Sequence, residues 1–457
     1  MKKESNNYQL LTQAPVSRAI IKMALPSIVI MLITGFYNIA DTFFVGKLST
    51  QATAAVGVVF SVMFFVQAIG FFFGHGSGNY ISRELGAQRH DNAQRMASTG
   101  FFLSFTLGLA VLLIGEACIT PLSLWLGSTP TILPYTEQYL GISLLGTPFF
   151  TSSLTMNNQM RFQGNARLAL WGILSGAIVN VLLDPLFIFV FDMGVAGAAL
   201  ATVIGQFVSF LILLRMTYLG GNIRYSWRNF TPKVALFKEI IAGGTPSLSR
   251  QGLACIAMIL LNTAASVYGD VAIAAMSIVS RCTMMVLAAV IGFGQGFQPF
   301  CGFNYGAQQY QRVKQGFWFS VKVCFIFLLL LSCAGWCFPV EIIDLFRRDA
   351  EVVAIGCEAL KWQLSVLPFL SFTIVSNMLL QTIRKPWRAN LLASARSGLF
   401  FIPLILILPR FFQLQGVEMC QAISDLLAFL ISVPVVRMTF KEMDIQTQNM
   451  HHNTTTS

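Results

Sequence analysis

Long apolar runs separated by short polar segments fill most of this chain. Twelve runs reach the roughly 20 residues that a helix needs to cross a bilayer. They span 19–45, 53–79, 94–117, 131–158, 167–191, 194–218, 236–265, 271–300, 314–339, 352–380, 388–411 and 414–437. The first run is too long for the apolar core of a signal peptide and lacks a small-residue cleavage site, so it is expected to remain as the first span. Residues 1–17 and the segment after the last run read as polar ends. The basic stretch from Arg215 to Lys238 is the longest break and divides the chain into two sets of six spans. Two lobes are expected, 1–230 and 231–457, the second with a polar tail.

The two sets resemble each other. At a constant offset of 220, Pro26-Ser27 matches Pro246-Ser247, Gly74 and Gly76 match Gly294 and Gly296, and Gly86-Ala87-Gln88 matches Gly306-Ala307-Gln308. Pro148-Phe149 likewise matches Pro368-Phe369, and Asn157 matches Asn377. Shared membrane composition does not keep a register over half a chain, so this is an internal duplication. An even number of spans per repeat places both halves in the same orientation, related by an axis along the membrane normal. The predicted fold is an all-α polytopic membrane protein of twelve helices in two pseudo-symmetric six-helix bundles.

Composition agrees. Of the 457 residues, 55% are hydrophobic and 11% charged, against about 25% charged in a soluble domain. The net charge of +11 does not point to nucleic acid, because Lys and Arg collect in alternate segments. Arg18, Lys22, Arg83, Arg89, Arg95, Arg161, Arg167, Arg224, Arg228, Lys233, Arg312, Lys314, Arg384, Lys385, Arg388 and Lys441 fall on one side, and little beyond Lys47, Arg347, Arg348 and Arg410 on the other. By the positive-inside rule the first side is cytoplasmic, with both termini inside. The nine cysteines form no CxxC pair and no Cys/His cluster suits a metal. Gly74-His75-Gly76-Ser77-Gly78 lacks the Lys that ends a phosphate-binding loop and reads as close helix packing. No nucleophile–base arrangement is visible, so an enzyme is not expected.

Candidate chemistry lies in two acids. Asp41 and Asp184 sit inside apolar spans, where a carboxylate costs roughly 2.5–3.5 kcal/mol on insertion scales. Spans 1 and 5 run outward and span 6 returns, which brings Asp41, Asn180, Asp184 and Thr202 to similar depth. Asn180 shares a helix face with Asp184, four residues on. Two nearby carboxylates in low dielectric do not both ionise, so such a site holds a proton or recruits a cation such as Na⁺ through oxygen ligands. The alternative is that each Asp caps a helix end by itself; Asp184 precedes Pro185. At offset 220 the acids become Leu261 and Leu404, so the coupling chemistry is assigned to the first lobe. Tyr37, Asn157 and Gln206 are expected to line a substrate cavity between lobes. Among the second lobe's membrane charges Arg250, Arg281, Arg396 and Asp425, a structural charge pair is expected, assigned to Arg281 and Asp425.

At these residues the chain resembles the multidrug and toxic compound extrusion (MATE) transporters, in their MepA-like and DinF-type bacterial branch. The resemblance rests on Asp41-Thr42-Phe43-Phe44-Val45-Gly46, Tyr80-Ile81-Ser82-Arg83-Glu84-Leu85-Gly86-Ala87, Asn180-Val181-Leu182-Leu183-Asp184-Pro185 and Gly194-Val195-Ala196-Gly197-Ala198-Ala199-Leu200-Ala201-Thr202. It implies a V-shaped pair of lobes in a bacterial cytoplasmic membrane, acting as a monomer without cofactor. It also implies export of organic cations or amphipathic drugs in exchange for H⁺ or Na⁺, with Asp41, Asn180, Asp184 and Thr202 as the coupling cluster. The acids that another branch places in spans 7, 8 and 10 are missing, since Arg250, Arg281 and Asn377 stand there. A lipid-linked oligosaccharide flippase of the same superfamily is the alternative. It would need several cavity Arg or Lys for a pyrophosphate, and the first lobe's spans show no such cluster.

Overall fold

A computed structural model describes the backbone of residues 2–219 and 221–455, and the side chains of 7–35, 44–49, 51–218 and 221–449. No strand occurs among them. The first half comprises α1 (Lys2–Thr12), α2 (Val16–Val45), α3 (Thr50–Gly86), α4 (His90–Ala117), α5 (Ile119–Trp125), α6 (Leu133–Leu145), α7 (Thr147–Phe162), α8 (Ala166–Pro185) and α9 (Gly194–Leu219). The second comprises α10 (Val234–Ser266), α11 (Asp270–Gly306), α12 (Tyr310–Cys337), α13 (Pro339–Asp344), α14 (Ala350–Val366), α15 (Leu370–Thr382), α16 (Pro386–Ser394) and α17 (Phe401–Thr455).

Ten segments among the described residues are long and apolar enough to cross a membrane. One of them, Pro386–Asn449, holds two crossings, because the chain reverses at Gln413 (φ 51°, ψ −130°). The remaining crossing is α6 with α7, which breaks at Gly146 into helices of 13 and 16 residues, the second of them polar. Its polarity is internal: from Thr151 to Gln163 every residue is buried. Thr155 donates to Ser104 Oγ at 2.8 Å and Gln159 to Ser77 Oγ at 2.9 Å, so the hydroxyls and amides of α7 bond to α4 and α3 instead of lipid. The twelve crossings predicted from the pattern are therefore present, six per half, in a V.

The duplication persists at atomic detail. Asn157 donates to the Ala169 carbonyl at 2.8 Å, and Asn377 to the Ala389 carbonyl at 2.7 Å, the same staple at an offset of 220. Gln88 and Gln308 both take left-handed φ, 61° and 60°, where α3 and α11 end. The fourth crossing of each half breaks at the equivalent place, Gly146 and Val366.

The halves meet through α2 and α3 on one side and α10 and α11 on the other. The crossings are stripped of side chains. A Cβ on Gly76 would lie 2.4 Å from the Ile240 carbonyl, one on Gly296 2.3 Å from Ala24 Cα, and one on Gly306 2.0 Å from the Arg83 carbonyl. All these contacts lie toward the face where α3 and α11 end and α2 and α10 begin, here called the basic face.

Several expected boundaries move. The polar amino-terminal segment holds the helix α1, pinned beneath the lobe junction: Asn7 donates to the Gln163 carbonyl, and Arg312 to the Ala14 carbonyl. The carboxy-terminal tail continues α17 through Thr455, because Val436, Thr439 and Met443 keep a buried stripe going beyond the apolar run. The long basic linker is laid along α4, with Tyr225 stacked on Phe101 at 4.5 Å and Trp227 on Phe102 at 4.0 Å. Burial pushes the Tyr225 phenol well above its usual range, so it stays neutral there.

Candidate coupling site

Two glycines assemble the site. Gly176 on α8 and Gly205 on α9 cross so closely that a Cβ on Gly205 would sit 2.7 Å from the Gly176 carbonyl. One turn further along each helix from that crossing, Asn180 and Thr202 face each other, with Asn180 Nδ2 donating to Thr202 Oγ1 at 3.2 Å. Asp184 follows on the same face of α8, its Oδ1 3.5 Å from the same amide nitrogen. Pro185 has no N–H for the Val181 carbonyl, and the helix widens into a π turn over Leu186–Val190. Asp184 is wholly buried, Asn180 and Thr202 nearly so.

A cavity of about 90 Å³ opens beside this cluster, lined by Thr34, Gln67, Ser153, Asn180, Thr202, Gln206 and Ser209. Four oxygens around it have no hydrogen-bond partner: Ser153 Oγ, Asn180 Oδ1, Gln206 Oε1 and Ser209 Oγ. Buried oxygens without donors are stable only against water or a cation. Ile33, Phe150, Leu154, Ile173 and Ala177 make up much of the remaining wall, so these oxygens stand in a mostly apolar pocket beside one buried carboxylate.

Of the expected coupling set, Asn180, Asp184 and Thr202 thus come together. The side chains of Asp41 and Tyr37, on α2, lie outside the described residues. Among the expected substrate residues Gln206 lines the cavity. Asn157 does not; its amide is spent on the α7–α8 staple. In the second half Leu261 and Leu404 occupy the positions that match Asp41 and Asp184.

The expected structural charge pair is corrected. Asp425 is fully buried and bonds to Arg396 Nε at 2.7 Å, with Gln421 also donating to it at 2.8 Å. Arg396 lies in a π turn (Ala395–Leu399) that points it at α17, where its own carbonyl accepts from Ser424 at 2.6 Å. Arg281 is exposed on α11 and has no part in the pair.

A second polar layer was hidden in the sequence. Arg161, assigned to a loop, is a buried residue of α7. Its guanidinium donates to Gln295 Oε1 across the lobe junction and to Asn158 Oδ1 at 2.5 Å. His75 Nδ1 lies 3.1 Å from the Phe71 carbonyl, which only accepts, so that nitrogen carries the proton and Nε2 faces Arg161 Nη2 at 3.5 Å. Nearer the basic face, Glu239 of the second half accepts from Arg83 of the first at 2.9 Å and pairs with Arg384 at 2.5 Å. Arg83 also donates to the Thr382 carbonyl at 2.6 Å. These bonds tie the lobes together where the glycines let them touch. The run Asn157-Asn158-Gln159 preceding Arg161 was the available signal that a polar helix continues to Phe162.

A duplicated bundle of twelve membrane helices with an acid pocket in one half defines a class of membrane transporter. The MatE family model matches twice, over residues 26–186 and 246–407, once per half. The chain belongs to the MatE (MATE) family. It is similar to the multidrug export protein MepA of Staphylococcus haemolyticus (strain JCSC1435), 25% identical over 432 residues that cover 93% of this chain and 94% of that protein. It is similar to the same-named protein of Staphylococcus aureus (strain NCTC 8325 / PS 47), 25% identical over 446 residues, 96% and 97% of the two chains. A solved MATE structure in the bent conformation superposes with a TM-score of 0.91 at 23% identity, over 97% of this chain and 99% of that one. An outward-facing multidrug resistance MATE transporter superposes at 0.90 and 24% identity, over 96% and 98%.

The Arg396–Asp425 pair carries a prediction. Removing one partner of a buried pair costs about 3–5 kcal/mol. Arg396→Met should therefore lower the melting temperature of the detergent-purified protein clearly, and Arg281→Met should leave it unchanged. A loss confined to Arg281→Met would contradict the assignment.

Proposed function

We propose that this chain is a secondary antiporter that exports organic cations or amphipathic drugs in exchange for H⁺ or Na⁺. The observation that carries this reading is the Asn180–Asp184–Thr202 cluster beside a small, mostly apolar cavity with four buried, unpartnered oxygens, inside one half of a duplicated bundle. The names of the Staphylococcus relatives, multidrug export proteins, support the cargo class. Asp41 is proposed as the second acid, from its place in the same half.

In this reading the basic face is cytoplasmic and both termini are inside, in a bacterial cytoplasmic membrane. The glycine crossings and the Arg83–Glu239–Arg384 lock then close the cytoplasmic side, and the V opens outward. Cargo leaves toward the outside while a proton or Na⁺ enters the acid pocket. Neutralising the carboxylates removes the charge that makes their burial expensive, and that permits the return step. The lock must break for the inward-open state, and its groups then regain water, which keeps the two states close in free energy. Tyr37, Asn157 and Gln206 were expected to contact cargo; of the two whose side chains are described, Gln206 is on the cavity wall, and it is retained in that role.

Transport in proteoliposomes tests the reading. An imposed pH or Na⁺ gradient should drive uptake of a fluorescent organic cation by the parent protein. Asp184→Asn and Asp41→Asn should each insert normally and lose at least about tenfold in gradient-driven rate, one decade being the scale of a single lost coupling interaction. Thr202→Val should reduce the rate less. Wild-type pumping by the doubly substituted protein would refute the coupling role.

Orientation has its own test. On a cysteine-free background, a cysteine at Thr129 should react with an impermeant maleimide in whole cells, and one at Arg89 only after permeabilisation. Both positions are exposed. The opposite pattern would invert the assigned topology.

A further inference from the structure

At the basic-face ends of α2 and α8 lies a recess of about 580 Å³, lined by Ser17, Arg18, Ile21, Lys22 and Arg167. Arg18, Lys22 and Arg167 converge on it from two helices, and none of the three forms an ion pair among the described residues. Many cations on the same face are otherwise occupied. Arg89 is held by Glu84, Lys314 by Asp444, Lys385 and Arg388 by Glu442, and Arg312 by backbone carbonyls. A recess with three unopposed cations has a strong preference for an anion.

Its surroundings say which anion. Below Arg18, Ile21 and Leu25 are 41% and 59% exposed on α2, and Trp171 is 57% exposed one turn beyond Arg167 on α8. Leu25 lies two turns, about 10 Å, deeper than Arg18 along the helix axis. A basic rim above an exposed apolar strip on membrane-crossing helices matches a phosphate headgroup above acyl chains, and Trp at that level is the usual interfacial residue. A free phosphate would use the rim alone.

We propose that the Arg18–Lys22–Arg167 recess binds one anionic phospholipid in the leaflet of the basic face, its phosphate held by the three cations and its acyl chains laid along Ile21, Leu25 and Trp171. The inference does not depend on the transport reading. It does give that reading a connection to the membrane, since the lipid would clasp the feet of α2 and α8, the helices that carry Asp41 and Asp184.

Native mass spectrometry of the full-length protein tests it, with phosphatidylglycerol or phosphatidylcholine of identical chains added to detergent. The parent should retain one phosphatidylglycerol in preference to phosphatidylcholine, by about fivefold or more, the scale expected for several basic residues at a lipid surface. Arg18→Gln/Lys22→Gln/Arg167→Gln should lose the preference. Arg228→Gln/Lys233→Gln/Lys238→Gln removes the same charge from exposed positions on the same face and should keep it. Gel filtration establishes that each variant is folded, and single Arg18→Gln and Arg167→Gln variants should each fall between parent and triple variant. Equal loss in the control variant would mean diffuse charge and overturn the site. So would absence of any preference in the parent, or displacement of the lipid by inorganic phosphate alone.

Discussion

The penalty for leaving a charge or an unpaired polar group in hydrocarbon governs this structure. It explains why α7, the most polar crossing, lies at the centre of its half with its hydroxyls and amides bonded to α3 and α4. It explains why Asp425 is met by Arg396 and Gln421. The same penalty explains why Glu239 lies between two arginines where the lobes touch. Each such group is stable because another protein group has replaced water. The cavity beside Asn180 and Thr202 gathers four buried, unpartnered oxygens around one space. That convergence marks the acid pocket as a candidate site.

The duplication built two lobes of one design and the chemistry then diverged. Both lobes keep the Asn157 and Asn377 staples, the broken fourth crossing and the left-handed Gln88 and Gln308, because these hold the architecture. The acids stand in one lobe. In the other, leucines fill the matching positions and the charges serve packing, as Arg396 and Asp425 do. The glycines of the lobe junction belong to the shared design and, in the proposed transport cycle, have a mechanical role. Backbones in direct contact pack strongly yet separate without unthreading side chains, which suits an interface that opens and closes.

Much of this was legible in residue order. The period of apolar runs and the offset of 220 predicted twelve crossings in two halves. The spacing of Asn180 and Asp184, with span direction, placed them near Thr202. What was not legible depended on packing between elements. Hydropathy records the composition of a helix and not what surrounds it, so Arg161 read as a loop residue although α7 buries it. The choice of Arg396 over Arg281 for Asp425 depends on a π turn that no periodicity announces. Asn157 had the chemistry of a cavity residue, and only the position of the Ala169 carbonyl shows that its amide is already used. The end of α17 was set by a buried stripe and by Asp444 and Glu442 meeting basic partners, after the apolar run had stopped.

The central claim of the proposed function is that cargo binding and occupation of the acid pocket by H⁺ or Na⁺ exclude one another. Calorimetric titration of the purified protein with tetraphenylphosphonium measures this directly, in buffers of different ionisation heat and with or without Na⁺. Linkage requires that a competing ion be released when cargo binds. The account predicts displacement of about one proton or one Na⁺ per cargo bound by the parent, and none by Asp41→Asn/Asp184→Asn. Cargo binding that displaces neither ion in the parent, or the same number in the double variant, would contradict it.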